Sequence, residues 1–200
     1  RQLVLNVVDA DCISRAQGNH NSFPFESILA LWDFMAAFPS VRHQWILKVF
    51  ESYGFPRGFL HFLNSLFFNN YAVYSSRGFQ SFLYSIVSGI VQGCPSAGLC
   101  FVVAADPFFR LFESLQNHLV TKNGKHSHLA VRGCADDICA PLASYKLLKV
   151  IKPVFDKAEH FACLTLNPKK CIIVPTRYDN FEEKSIEIKK WLCTHIPEWS

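Results

Sequence analysis

The chain has 200 residues, half of them hydrophobic, with 19 Phe and a formal net charge of +4. This length and composition suit one domain with a sizeable core and exclude a disordered chain. The mild positive charge permits a polyanionic partner without requiring one. Asp33 and Asp106 interrupt the two best apolar stretches, so no membrane span and no membrane partner is expected.

The chain opens on Arg1 with no charged-then-apolar leader, and we read it as an excerpt of a longer protein. Leu3, Val7, Val8, Cys12 and Ile13 have helical spacing within residues 1–16, and Gln17 to Ser22 reads as a loop. Ile28 to Phe34 is an apolar run of strand length. Val41 to Tyr53 predicts a helix that Gly54 ends, and Pro56 opens another over Gly58 to Phe68. Tyr71 to Tyr74 and Phe82 to Val87 predict a hairpin around Ser75-Ser76-Arg77-Gly78. Gly93 to Ser96 is a turn before a helix reaching about Leu115, and Gln116 to Ser127 is a polar connection. Leu129 to Gly133 and Ile138 to Leu142 predict a second hairpin with Asp136-Asp137 at its tip. Ser144 caps a helix from Tyr145 to about Phe161, the turn Leu166 to Lys170 leads into a strand Cys171 to Val174, and Phe181 to Leu192 is a solvated helix. Hairpins and separate helices without regular strand–helix alternation make an α+β fold.

Eight cysteines occur at positions 12, 94, 100, 134, 139, 163, 171 and 193, with no Cys-x-x-Cys pair. Most lie in apolar runs and read as small hydrophobes of a reduced chain, not as zinc ligands or a disulfide framework. His126 and His128 sit in a polar loop without a neighbouring carboxylate or thiol and read as solvated.

The acids are more informative. Asp136 and Asp137 lie between short apolar runs, and Asp33 has a similar setting about a hundred residues upstream. Burying a paired carboxylate is costly unless a cation neutralises it. Three acids in apolar strand settings therefore suggest a magnesium site for phosphoryl chemistry.

Five segments, in order, resemble the polymerase domain of non-LTR (LINE-like) retrotransposon reverse transcriptases. Arg1-Gln2-Leu3 with Asn6 is similar to the tail of a fingers element. Asp33-Phe34-Met35-Ala36-Ala37-Phe38-Pro39-Ser40-Val41 with His43 resembles Asp-Phe-x-x-Ala-Phe-Asp-Ser-Val-x-His. Gly89 to Pro95 resembles Gly-Val-x-Gln-Gly-Cys/Asp-Pro, Ala135-Asp136-Asp137 resembles the Tyr-Ala-Asp-Asp core, and Leu164 to Cys171 resembles Leu-x-Leu-Asn-x-x-Lys-Cys/Thr.

The resemblance implies a palm-type antiparallel sheet packed on helices, with part of the fingers and no thumb. It divides the chain into partial fingers (1–27), a palm core with inserted fingers helices (28–176) and the start of a connection toward a primer grip and thumb (177–200). It implies nucleotidyl transfer to a DNA 3′ end on an RNA template, with deoxynucleoside triphosphates, two Mg²⁺ ions (Mn²⁺ as a substitute) and a nuclear location. Asp33 and Asp136 take the places of the shared metal ligands, with Asp137 as a more peripheral acid. Phe34, Phe38, Gln92, Gly93 and Lys170 take nucleotide- or template-facing places. Phe38 stands where a ring excludes a 2′-hydroxyl by bulk, and Lys170 where a lysine faces the departing pyrophosphate.

Three positions depart from the pattern. Cys134 replaces the Tyr before Ala135, which touches the expected primer contact but not metal binding. Pro39 replaces an Asp that is not a metal ligand, and Ser96-Ala97 replaces Leu-Ser. Without a thumb the isolated chain is expected to polymerise poorly. The rival readings are a decayed, non-catalytic retroelement remnant that at most binds nucleic acid, a domesticated scaffold, and an RNA-directed RNA polymerase.

Overall fold

A computed structural model describes residues 28–91, 93–118, 131–134, 136–142, 144–175 and 181–200. The expected fingers element at 1–27, Gln92 and most of the polar connection lie outside these residues.

Strand β1 (Ile28–Trp32) leads through a tight bend to the short helix α1 (Ala37–Ser40), then α2 (His43–Ser52) and α3 (Arg57–Phe67). A hairpin follows, β2 (Tyr71–Ser76) and β3 (Phe79–Ser85), and then the long helix α4 (Ala97–His118). Strands β4 (Arg132–Cys134) and β5 (Asp137–Leu142) form a second hairpin. Helix α5 (Leu148–Lys157), strand β6 (Ile172–Pro175) and helix α6 (Phe181–His195) complete the order.

Among the described residues these strands form two separate sheets. The larger has the order β4-β5-β1-β6, antiparallel throughout, and the smaller is β2-β3 alone. β1 is central because its short, strongly apolar sequence can be covered from both edges. Its burial alternates: Ile28, Ala30 and Trp32 are buried, while Leu29 and Leu31 are half-buried. The fully buried positions face the helices, where Phe155 of α5 packs on Trp32 at 5.2 Å and on Phe112 of α4 at 5.3 Å. The opposite face is partly open; Ile172, paired with Leu31, is 55% exposed. The fold is therefore α+β, an antiparallel sheet with helices on one face.

Several local expectations are refined. The β2–β3 strands run further toward the tip than Tyr74 and Phe82, leaving Arg77-Gly78 as the turn. Both turn residues have positive φ, which matches the twist of a two-residue hairpin. β3 stops at Ser85 because residues 87–90 leave it to pair elsewhere: His43 N–H donates to Val87 O, Gly89 N–H to Val41 O and Ile90 N–H to Phe38 O. In the second hairpin the described strands sit closer to the tip than expected, so Asp137 belongs to β5 and Asp136 to the turn. The Ser144 hydroxyl accepts from Lys146 N–H as expected of a cap. It opens a 3₁₀ turn, Tyr145–Leu147, before α5, and a π-helical turn, Ala158–Ala162, follows α5. Helix α6 buries Ile188 and Leu192 and half-buries Lys184 and Trp191, and these residues anchor it to the core while the rest of it is exposed.

Candidate functional site

The register decides which acids meet. Trp32 pairs with Ile138, so one further step along both strands sets Asp33 level with Asp137. Cys134 pairs with Asp137 across the hairpin, which puts Asp136 in the turn between them. All three acids thus lie at one end of the larger sheet. Asp136 is partly exposed and Asp137 exposed. Asp33 follows the half-buried Leu29 and Leu31 in alternation, on the open side of β1. Among the described residues, no group of three or more His, Cys, Asp or Glu side chains is gathered closely enough to hold a metal. Asp136 sits in the hairpin turn, outside the alternation of β5, and Asp137 is the first residue of that strand. The sheet therefore aligns the acids without closing them into a cage.

A second loop completes this end. Phe34 bridges to Leu166, Met35 N–H donates to Thr165 O, and Asn167 N–H donates to Asp33 O at 2.8 Å. The turn at 167–170 then carries Lys170 back over the acid, with its Nζ 3.5 Å from Asp33 Oδ2. The contact is an ion pair and not a hydrogen bond, because Oδ2 is buried and has no hydrogen-bond partner. Lys170 is the cation that faces this buried oxygen, and the oxygen's hydrogen-bonding capacity is left unused. Hard carboxylate oxygens match Mg²⁺, which is commonly bound through one or two carboxylates plus substrate phosphates instead of an all-protein cage. The donor set therefore fits such an ion. Cys171 lies beside Asp33, its Sγ 4.0 Å from the Asp33 carbonyl. Burial chiefly pushes its thiol up, the hydrogen bond to the Asp33 carbonyl opposes this, and the Asp33 charge adds to it.

Phe34 is buried and touches Phe155 at 6.1 Å, so its ring belongs to the core. Phe38 is half-buried and stacks on Phe101 of α4, with centroids 4.4 Å apart. It is positioned by an unusual bend: Ala36 has φ +47°, a left-handed conformation that costs a non-glycine residue about 1 kcal/mol. Ser40 Oγ donates to Met35 O and closes that bend.

Gly89 has φ +98°, and a β-carbon there would stand 2.8 Å from Pro39 O. Only glycine lets the two backbones approach this closely. His43 adds to the junction. Its Nε2 is 2.7 Å from Gly89 O and its ring lies against Phe67, while Nδ1 is buried without a partner. Because Ile90 is tied to Phe38, the turn that follows it is brought to the Phe38 end of the sheet. Gly93 in that turn has φ +86° and open space around it. Gln92 lies outside the described residues. Beyond the turn, the Ser96 hydroxyl holds the Cys94 thiol below its ordinary range, whereas burial raises that of Cys100.

Asn167 and Cys171 belong to the motif at 164–171 but have no site role assigned from sequence, and Thr165 and Phe101 carry no local sequence signal of their own. Each acts through backbone or packing with residues distant in the chain. His43, a motif position in the sequence, packs on Phe67 and holds Gly89.

No protein-family model and no curated protein matches the chain by sequence. Solved structures do resemble it. Telomerase from Candida tropicalis in complex with a TWJ fragment of telomeric RNA matches with a TM-score of 0.58 at 10% identity, over 88% of this chain and 30% of that one. Apo telomerase from Candida tropicalis, truncated from its C-terminal domain, gives 0.53 at 10% identity over 88% and 36%. Telomerase from Candida albicans in complex with a TWJ fragment of telomeric RNA gives 0.53 at 10% identity over 90% and 31%. The chain thus spans 30% to 36% of the length of these structures. At this identity the likeness is one of fold: a reverse-transcriptase-like α+β fold with a palm-type antiparallel sheet. Among the described residues, no helix is long and apolar enough to cross a membrane.

Proposed function

We propose that the chain is the palm, with part of the fingers, of an RNA-directed DNA polymerase of a non-LTR retrotransposon, extending a DNA 3′ end on an RNA template in the nucleus. The observation that carries this reading is the register that sets Asp33 level with Asp137, one residue from Asp136, at the open end of a palm-type sheet. The ordered motifs of the sequence and the fold likeness both support it.

In this reading Asp33 and Asp136 hold two Mg²⁺ ions, with Asp137 at the periphery. When bound, the ions supply activation of the primer hydroxyl and neutralisation of phosphate charge. The remaining work falls to the chain itself. The Phe38 ring, braced by Phe101, limits the room beside the nucleotide sugar and so favours deoxynucleotides over ribonucleotides. The open backbone at Gly93 lets the nucleotide and template approach the turn before α4. Lys170, 67% exposed at its side chain, can swing from Asp33 toward the pyrophosphate and donate a proton or a charge-assisted hydrogen bond.

The test is primer extension on a poly(rA)·oligo(dT) substrate, in a polypeptide that also supplies a thumb. Asp33→Asn and Asp136→Asn are each expected to abolish incorporation while leaving substrate binding in place. Undiminished incorporation by Asp136→Asn overturns the assignment. A second readout needs no catalysis: Mg²⁺ is expected to raise the melting temperature of the wild-type chain and not that of Asp33→Asn. A chain that melts identically with and without Mg²⁺, and incorporates nothing, is instead the non-catalytic remnant.

A further inference from the structure

The β2–β3 hairpin stands outside the sheet just described, and its two faces are distinct. Tyr71 pairs with Ser85, Ala72 with Tyr84, Val73 with Phe82, Tyr74 with Ser81 and Ser76 with Phe79. Residues opposite each other share a face, so one face carries Tyr84, Tyr74 and Phe79 in a diagonal row. The small residues Ala72, Ser81 and Ser76 separate the rings. Tyr84 is 62% exposed, Tyr74 59% and Phe79 80%. None of these three rings has a ring partner among the described residues, whereas on the other face Tyr71 and Phe82 lean on each other at 6.3 Å.

The charge around the hairpin is one-sided. Between Glu51 and Asp106 the sequence contains no Asp or Glu, while Arg57 and Arg77 fall inside that span. Arg77 occupies the hairpin turn next to Phe79. This stretch of chain brings no carboxylate of its own to repel a phosphate backbone. Spaced, solvent-facing rings beside a cation are the features on which successive bases of a single strand stack.

We propose that the Tyr84–Tyr74–Phe79 face is a stacking platform for single-stranded nucleic acid. Bases of an unpaired strand lie on the three rings, and Arg77 meets the backbone at the hairpin tip. The platform deepens the polymerase reading by giving an unpaired template a second hold away from Asp33. It requires nucleic-acid binding but no catalysis.

The probe is a fluorescein-labelled single-stranded oligo(U), with a duplex of equal length as control, titrated against the whole chain by fluorescence anisotropy. Replacing each ring singly by Ala is expected to weaken single-strand binding about fivefold or more, because base–aromatic stacking contributes roughly 1–3 kcal/mol per base. Tyr74→Phe and Tyr84→Phe, which keep the rings, are expected to bind as wild type does. Duplex binding is expected to change less than single-strand binding. Photo-crosslinking of the unaltered chain to 4-thiouridine-substituted RNA is expected to label β2 and β3. Wild-type affinity in the Ala variants, or crosslinks confined to other segments, overturns the platform. So does a chain whose dimerisation, followed by sedimentation, depends on the same three rings. The two proposals are read separately: primer extension tests the polymerase reading and oligo(U) anisotropy of the ring variants tests the platform, so either can fail without the other.

Discussion

The described residues form two antiparallel sheets of similar local sequence character and opposite fate. In β1, three of five residues are buried against α4 and α5, and the strand has a partner on each edge. In β3 every residue is exposed, and the hairpin has no further strand and no helix laid across it among the described residues. Both runs are rich in aromatic and apolar residues, and an apolar run alone does not say whether its strand will be central or peripheral. Partners decide. A two-stranded hairpin cannot bury a face by itself and is marginal in water. β1 gains its stability from α4 and α5, whereas β2–β3 is left with its rings outward.

Four substitutions test this contrast. The largest effect is expected for Phe155→Ala. Phe155 is 4% exposed and its ring touches Trp32, Phe34, Phe112 and Trp199. Its loss should cost about 3–5 kcal/mol, read by chemical denaturation, and should disorder the face that supports β1. Gly89→Ala comes next, at roughly 2–3 kcal/mol. The new methyl meets the Pro39 backbone at 2.8 Å and the residue must keep φ +98°. It should also weaken nucleotide incorporation, because the Phe38–Ile90 tie sits at the same junction.

Trp45→Phe keeps the stacking on Phe108 but removes the 2.8 Å hydrogen bond from Nε1 to Ala104 O. It should cost about 1 kcal/mol in the same denaturation experiment. The smallest effect is expected for Phe79→Ala on the exposed hairpin face, within about 0.5 kcal/mol of wild type. A drop of several kcal/mol at Phe79 would mean that the hairpin is packed in the free chain, and the contrast between the two sheets would fail.

Much of the secondary structure was legible. Ile28 to Trp32 announces a strand by its length and apolar content, and His43 to Ser52 a helix by its spacing and the glycine after it. The Asp-bearing hairpin was legible as a hairpin, but its described strands reach closer to the tip than the apolar runs suggest: Arg132 pairs with Cys139 and Cys134 with Asp137. The short helix α1 went unread, since Ala37-Phe38-Pro39-Ser40 is too brief for any period to show. It is held by the ties from Ile90 and Ser40.

Of the candidate site, Asp33, Asp136 and Asp137 stood out because acids in apolar runs need a reason. The approach of Lys170 to Asp33, and of Gly89 to Pro39, has no local signature.

The sequence by itself determined the order of elements, the α+β class and the residue types available for chemistry. These follow from short-range rules: side-chain period, turn residues and the cost of placing charge among apolar neighbours. Only the tertiary structure decided that Asp33 and Asp137 lie level, that Lys170 faces Asp33, and that the β2–β3 rings turn outward. Strand pairing and helix packing join residues far apart in the chain. Their register is set by which faces can be buried together, a property of the assembled core and not of any one segment.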